Sequence, residues 1–384
     1  EGSPWDGGPA GFEIATQNDV PMAAKAHTIG TAFLGIEMKC ARCHDSPYHQ
    51  VTQRNLFELA AMLAREPLTL PASSSVPAGF FEHLRNGGRK PLIEVTLTVD
   101  SEVEPAWPFR KLLSTPVSEN LLKSPGDPRE ELAAKVTGSR RFAEVMVNRV
   151  WARYMGAGII DPVDDWEGKV PSDPTLLEFL ADEFINSGYD LKSLTQLIVN
   201  SQAYQREAID DSTIAESDQR YFEGPYRRRM AAEQIVDNAW EVSGRTMNVG
   251  ILSLDKEGRL PPGSFMNFGE PQHAWEFTSL ANERDRPSLA LPKVQAVVDV
   301  LRAFGWRSSR QEPVTHREEE ANPLQPGVLA NGVMGRWLTQ LTDDSEITRM
   351  CLDAESPDEL TEALFMRFLT RSPTPGEKAE FRAL

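Results

Sequence analysis

Between Phe142 and Ile198 apolar residues recur with a period that buries one side of an α-helix and no other regular structure. Phe142, Val145, Met146, Val150 and Tyr154 form one stripe, closed by Gly156 and Gly158. Asp173 then stands as an N-cap with Pro174 as the first helical residue. Leu176, Leu177, Leu180, Ala181 and Phe184 carry that stripe to Gly188. Asp190 caps the next, with Leu191, Leu194, Leu197 and Ile198. A one-sided helix must pack against another element, so the spacing predicts a mainly α, helical protein.

The same reading extends along the chain. Ala23, Ala24, Ala26, Ile29, Ala32, Phe33 and Ile36 predict a helix from Pro21 running straight into Cys40, and Leu56, Leu59, Ala60 and Leu63 a second one. Helices are also expected at about 294–304, 325–340 and 357–370. Strand alternation occurs only in I-E-V-T-L-T-V-D, so a short β element is expected near 93–100. Residues 1–20, 67–90 and 243–290 are rich in Gly and Pro and predict long irregular loops. The stretch L-L-K-S-P-G-D-P-R-E-E-L reads as a linker, which divides the chain into two regions, 1–115 and 116–384.

A length of 384 residues, 40% of them hydrophobic, is enough for a substantial core. With 57 acidic against 40 basic residues the net charge is −17, which argues against nucleic acid or an anionic membrane as partner. No window approaches the roughly 18 apolar residues of a membrane span. Three cysteines rule out a disulfide framework, and Cys351, in a helical stretch, reads as a buried small hydrophobe. Both ends of the sequence read as cuts through a longer protein.

Cys40-Ala41-Arg42-Cys43-His44 spells C-x-x-C-H, the attachment pattern of a covalent haem c. Two thiols on one turn can each bond a vinyl group of one porphyrin, and His44 can then ligate the iron. Zinc is an alternative, although His44 abuts Cys43 and a fourth ligand is needed; a plain redox pair or no cofactor also remains open. Haem is attached to such a motif outside the cytoplasm, so the expected location is periplasmic or secreted. Met62, His83 and His49 are candidates for a sixth iron ligand, His49 being only five residues from His44.

Further along, the turn Asp161-Pro162-Val163-Asp164-Asp165-Trp166-Glu167 gathers four carboxylates. It suits an acid/base pair or a bound cation, but Asp-Pro turn chemistry accounts for it more simply, and its spacing is not that of a calcium hand. Arg227-Arg228-Arg229 is expected to open a helix, where three cations oppose the dipole and suggest an acidic partner. His273, in a long loop, and His316 and Arg317 complete a second candidate pocket with Asp164, Asp165 and Arg227.

These blocks carry a resemblance. FLGIEMKCARCHDSPYHQVTQRNLFELAAML resembles the end of the planctomycete cytochrome-like domain of unknown function 1549. NRVWARYMGAGIIDPVDDW, PSDPTLLEFLADEFINSGYDLKSLTQLIVNSQAYQ, RRRMAAEQIVDNAWEVSG and ELTEALFMRFLTRSPTPGE resemble its usual C-terminal partner, domain of unknown function 1553. The resemblance implies a helical, extracytoplasmic protein, often built with an N-terminal cytochrome domain, and supplies no activity. Where that family continues C-H-D-H-P, this chain has Ser46. The expected role is electron transfer, or a haem-dependent oxidoreductase component with a redox partner protein. The rival is a structural or glycan-associated module in which C-x-x-C-H is a metal clasp or purely structural; a hydrolase using Asp164 or Asp165 is a third reading.

Overall fold

Caps and apolar stripes set the architecture of this computed structural model. It describes residues 12, 20–75, 78–91, 93–113, 121–210, 220–253, 259, 261, 263–264, 267–280, 291–306 and 321–383. These are mainly helical and fall into two compact units, one within 16–228 and the other within 229–384.

In the first unit α1 (Pro21–Ile29) starts on a proline and does not run into Cys40. It loosens into a π-turn at Gly30–Leu34 and stops at Gly35, whose φ of 64° is left-handed. The Cys residues follow on a separate single turn, Cys40–Arg42. The helical spacing of Ala32, Phe33 and Ile36 hid this break, because Gly35 acts through its backbone and its neighbour rather than through periodicity. The second helix, α2 (Gln53–Ala64), is fixed by a capping box: Asn55 N–H donates to Thr52 Oγ1 (3.2 Å), and Thr52 N–H to Asn55 Oδ1 (3.0 Å). Its expected face, Leu56, Leu59, Ala60 and Leu63, is buried. A five-residue helix α3 (Glu82–Asn86) follows.

The β element lies slightly later than expected. Residues 93–100 form no strand; the chain turns at 98–101, with Ser101 N–H on Thr98 O and Asp100 at φ 64°. Only past that turn does β2 (Glu102–Val103) pair antiparallel with β1 (Leu68–Thr69). The last five residues of the expected linker are also helix: α4 (Pro128–Thr137), capped by Asp127, places Leu132 and Val136 in one core with Leu34, Met38, Leu56 and Val103. The lengths on either side of residue 116 therefore share a core.

A second core in this unit joins α5 (Arg140–Met155), α6 (Pro174–Asn186) and α7 (Leu191–Val199), all three N-capped by the side chains of Ser139, Asp173 and Asp190. Gly156 ends α5 at φ 87°, as its position predicts.

The second unit packs α8 (Ala232–Ser243), a hairpin of β3 (Leu252–Ser253) and β4 (Asn267–Gly269), and α9 (Pro292–Ala303) around Trp240, Phe277, Val297, Leu301 and Trp306. The helix expected over 325–340 is two, α10 (Leu324–Asn331) and α11 (Val333–Thr339), divided at Gly332. Beyond them come α12 (Glu346–Asp353), α13 (Pro357–Leu369) and α14 (Pro375–Ala383). Two expectations change here. α8 begins at Ala232, so Arg227, Arg228 and Arg229 precede the helix and do not oppose its dipole. Cys351 lies exposed on α12 instead of buried.

Candidate functional site

Within the first unit the chain brings the segments flanking the C-x-x-C-H turn against the acidic turn. Gly35 makes this possible. Trp166 N–H donates to Gly35 O at 2.9 Å, and the indole lies so close that a Cβ on Gly35 would sit 2.7 Å from Trp166 Cδ1. The indole is held from its other sides as well: Nε1–H donates to Val163 O (3.0 Å), and the Arg141 guanidinium lies 4.7 Å over the ring. Burial lowers the pKa of Arg141, partly offset by Glu144; burial likewise raises Glu144, against the pull of Arg141 and Arg140.

Two further clasps lie beside it. Arg149, on α5, donates to Thr31 O (2.7 Å) and Ala32 O (2.9 Å) and pairs with the buried Asp164 at 2.7 Å. The π-turn carbonyls, which ordinary helical bonding leaves over, thus find a cation. On the surface side, His49 Nε2 meets Asp165 Oδ2 at 2.7 Å, and Gln50 N–H donates to Glu167 Oε1 at 2.7 Å. Residues 116 or more positions apart are joined, so the acidic turn is a receptor for the segment around the cysteines.

Around the motif itself, Cys40 and Cys43 are free thiols, each half-buried, on one tight turn. His44 Nδ1 donates to Asp45 O at 2.8 Å; a carbonyl can only accept, so the neutral ring keeps Nε2 as its open lone pair. Asp45 staples the turn: its N–H donates to Glu94 O (2.8 Å), and its Oδ1 accepts from Gln53 N–H (2.7 Å) and Thr96 Oγ1–H (2.9 Å). Among the described residues no three His, Cys, Asp or Glu side chains converge so as to hold a metal ion. A cavity of about 360 Å³ opens beside the turn, lined by Asp45, Ser46, Pro47, Lys90, Pro91 and Glu94.

The other expected residues are dispersed. Met62 is buried in the core on α2, His83 is exposed on α3, and His49 is occupied by Asp165. Asp164 and Asp165 are neighbours with different partners, Arg149 and His49. Arg227 is exposed, its N–H donating to Ile209 O. His273 is exposed in the second unit, 4.0 Å from Asp237. His316 and Arg317 lie outside the described residues. Sequence reasoning singled out His49 and Asp165 but did not pair them. It missed Arg149 and Gly35, which lie inside helical patterns and carry no motif.

Fold and site define a class: a mainly helical protein in which the segments flanking a C-x-x-C-H turn are clasped by an acidic turn. The chain belongs to the family of proteins of unknown function DUF1553 (PSD1), whose model matches residues 128–384, while the DUF1549 (PSCyt2) model matches residues 9–67. No curated protein and no solved structure matches it. No helix among the described residues is long and apolar enough to cross a membrane.

Proposed function

We propose that this chain is an extracytoplasmic, planctomycete-type c-type haem protein that carries electrons or serves as the haem-bearing component of an oxidoreductase. One observation carries the reading. Cys40 and Cys43 are unpaired thiols on a single turn, next to an imidazole whose Nδ1 is tied to a backbone carbonyl and whose Nε2 is left for a metal. That donor set fits a covalent haem c: the two thiols would form the thioethers and His44 would be the proximal ligand. When bound, the group supplies one-electron chemistry at iron.

The chain's own contribution is orientation. The Asp45 carbonyl fixes the tautomer and plane of His44, and Gln53, Thr96 and Glu94 hold Asp45 in turn. Of the three sixth-ligand candidates, Met62 is packed in the core and His49 is bonded to Asp165, which favours the exposed His83. Zinc is less suited, because it would require Cys40, Cys43 and His44 to converge on one point. The partner would be a redox protein, or a cytochrome domain of the same polypeptide.

The test is to mature the chain in an extracytoplasmic compartment with haem-attachment machinery and record its spectrum after denaturation. A Soret band that survives denaturation, and is lost in Cys40→Ala/Cys43→Ala, is expected. Folded protein with no retained band would refute the haem assignment.

A further inference from the structure

The hydrogen bonds around His49 have a consistent direction that the electron-transfer reading does not use. Asp165 Oδ2 is 2.7 Å from His49 Nε2, and a carboxylate accepts, so the ring proton sits on Nε2. That leaves Nδ1 as an acceptor, and 3.1 Å from it lies Ser46 Oγ. The backbone N–H of His49 already donates to the same Oγ (3.2 Å), so the hydroxyl has its own proton to give and Nδ1 to give it to. Ser46 Oγ–H, His49 and Asp165 therefore form a chain of the polarity that activates a serine: hydroxyl to imidazole, imidazole to carboxylate. Compared with serine proteases the two ring nitrogens are exchanged, which preserves the proton path.

The geometry is held on both sides. Asp165 Oδ1 accepts from Glu167 N–H (3.3 Å), and Ser46 N–H donates to Val51 O (3.1 Å). Ser46 is also one of the residues lining the cavity of about 360 Å³, a space that a small substrate can enter. Its other walls are Asp45, Glu94, Lys90 and two prolines. Lys90 is the cation among these lining residues, paired with Glu94 at 3.0 Å where both are largely exposed, so that pair is weak and can rearrange.

We propose that Ser46, His49 and Asp165 form a nucleophilic relay that hydrolyses short-acyl carboxylic esters with a polar alcohol part, Ser46 being the catalytic nucleophile. Ser46 Oγ bonds to the acyl carbon as its proton passes to His49 Nδ1. The carbon–oxygen bond to the alcohol breaks, and the leaving oxygen takes that proton. Water then attacks the acyl group, giving a proton through Nδ1 back to Oγ and releasing the carboxylic acid; no oxidant or reductant enters. Asp165 is a positioning residue that holds the Nε2–H tautomer, and Lys90 is the group available to a developing oxyanion. The polar walls set the preference for short acyl chains. The relay goes beyond the haem reading and stands or falls separately from it.

The experiment uses the full chain, with its fold checked by circular dichroism, and two probes: diisopropyl fluorophosphate and p-nitrophenyl acetate. Phosphorylation of the peptide containing Ser46 is expected, with loss of both the adduct and esterase turnover in Ser46→Ala. Asp165→Asn should slow phosphorylation at least about tenfold, and Asp165→Glu should recover part of the rate, which a purely structural role would not predict. Folded wild-type protein with no adduct on Ser46 would overturn the proposal. So would equal phosphorylation rates in wild type and Asp165→Asn, or undiminished esterase turnover in Ser46→Ala.

Discussion

Replacing Gly35 with alanine tests whether the two turns are held together by a close approach of backbone and indole. Two costs arise. At φ 64° an alanine adopts a left-handed conformation, worth about 1–2 kcal/mol. Its Cβ would also stand 2.7 Å from Trp166 Cδ1 and 2.8 Å from Cγ, closer than carbon atoms can pack. The indole cannot swing away cheaply, because Nε1–H is bonded to Val163 O and Arg141 covers the ring. Overpacking of that kind costs about 1–3 kcal/mol. The sum is about 2–5 kcal/mol, which for a unit of this size corresponds to a fall in Tm of about 4–20 °C. Gly168→Ala is the control: φ there is 69°, but nothing lies within 4 Å of a Cβ, so only the backbone cost applies. Thermal unfolding by circular dichroism compares the two variants. If Gly35→Ala is no more destabilised than Gly168→Ala, the close approach does not hold the turns together.

Three other outcomes follow from the same reasoning. Asn148→Ala removes the buried side chain that donates to Ile160 O (2.8 Å) and accepts from Ile160 N–H (3.0 Å), and urea unfolding should show a loss of about 2–4 kcal/mol from two stranded backbone groups. Arg149→Ala leaves the buried Asp164 without its 2.7 Å cation and should cost about 3–5 kcal/mol in the same assay. Glu377 is held at a pKa of about 2, first by the Arg371 guanidinium and then by Thr374 N–H, against a usual 4.5. Its folded value is depressed, so its contribution to stability is complete above about 4.5 and lost as pH falls toward 2. A carboxyl NMR titration of Glu377 should give a midpoint near 2, returning toward the usual range in Arg371→Ala.

Local signals were legible wherever the cause is local. Asp173-Pro174, Ser139, Asp190 and Gly156 mark helix ends because the bonds they make span only a few residues. The stripe of α2 is read correctly because its buried face is continuous. What failed depends on distant partners. The break at Gly35 is set by Trp166, more than a hundred residues away, while Ala32, Phe33 and Ile36 keep the helical period across it. The linker reading of residues near 128 weighed Pro and Gly above Leu132 and Val136, which share a core with α1 and α2. The strand signal at 93–100 was real in composition, but Asp100 turns the chain first, so pairing begins at Glu102. Cys351 was misread because a small apolar residue carries too little pattern to show which helix face it occupies.

The site follows the same rule at a larger scale. The cysteines and His44 declare themselves by spacing, whereas the groups that clasp the segments on either side of them come from the region matched by another family model. Arg149, Asp165, Trp166 and Glu167 lie within the DUF1553 match, and Thr31, Ala32, Gly35, His49 and Gln50 within the DUF1549 match. Each of these contacts satisfies a backbone or imidazole group that would otherwise face water or lie unpaired beside a core. Leu132 and Val136 extend the dependence into the apolar core itself. Within the first unit, the DUF1549 match and the part of the DUF1553 match up to residue 228 therefore share a core and a set of clasps. A change at the acidic turn then acts on the segments that lead into and out of the cysteine turn, whatever group those thiols carry.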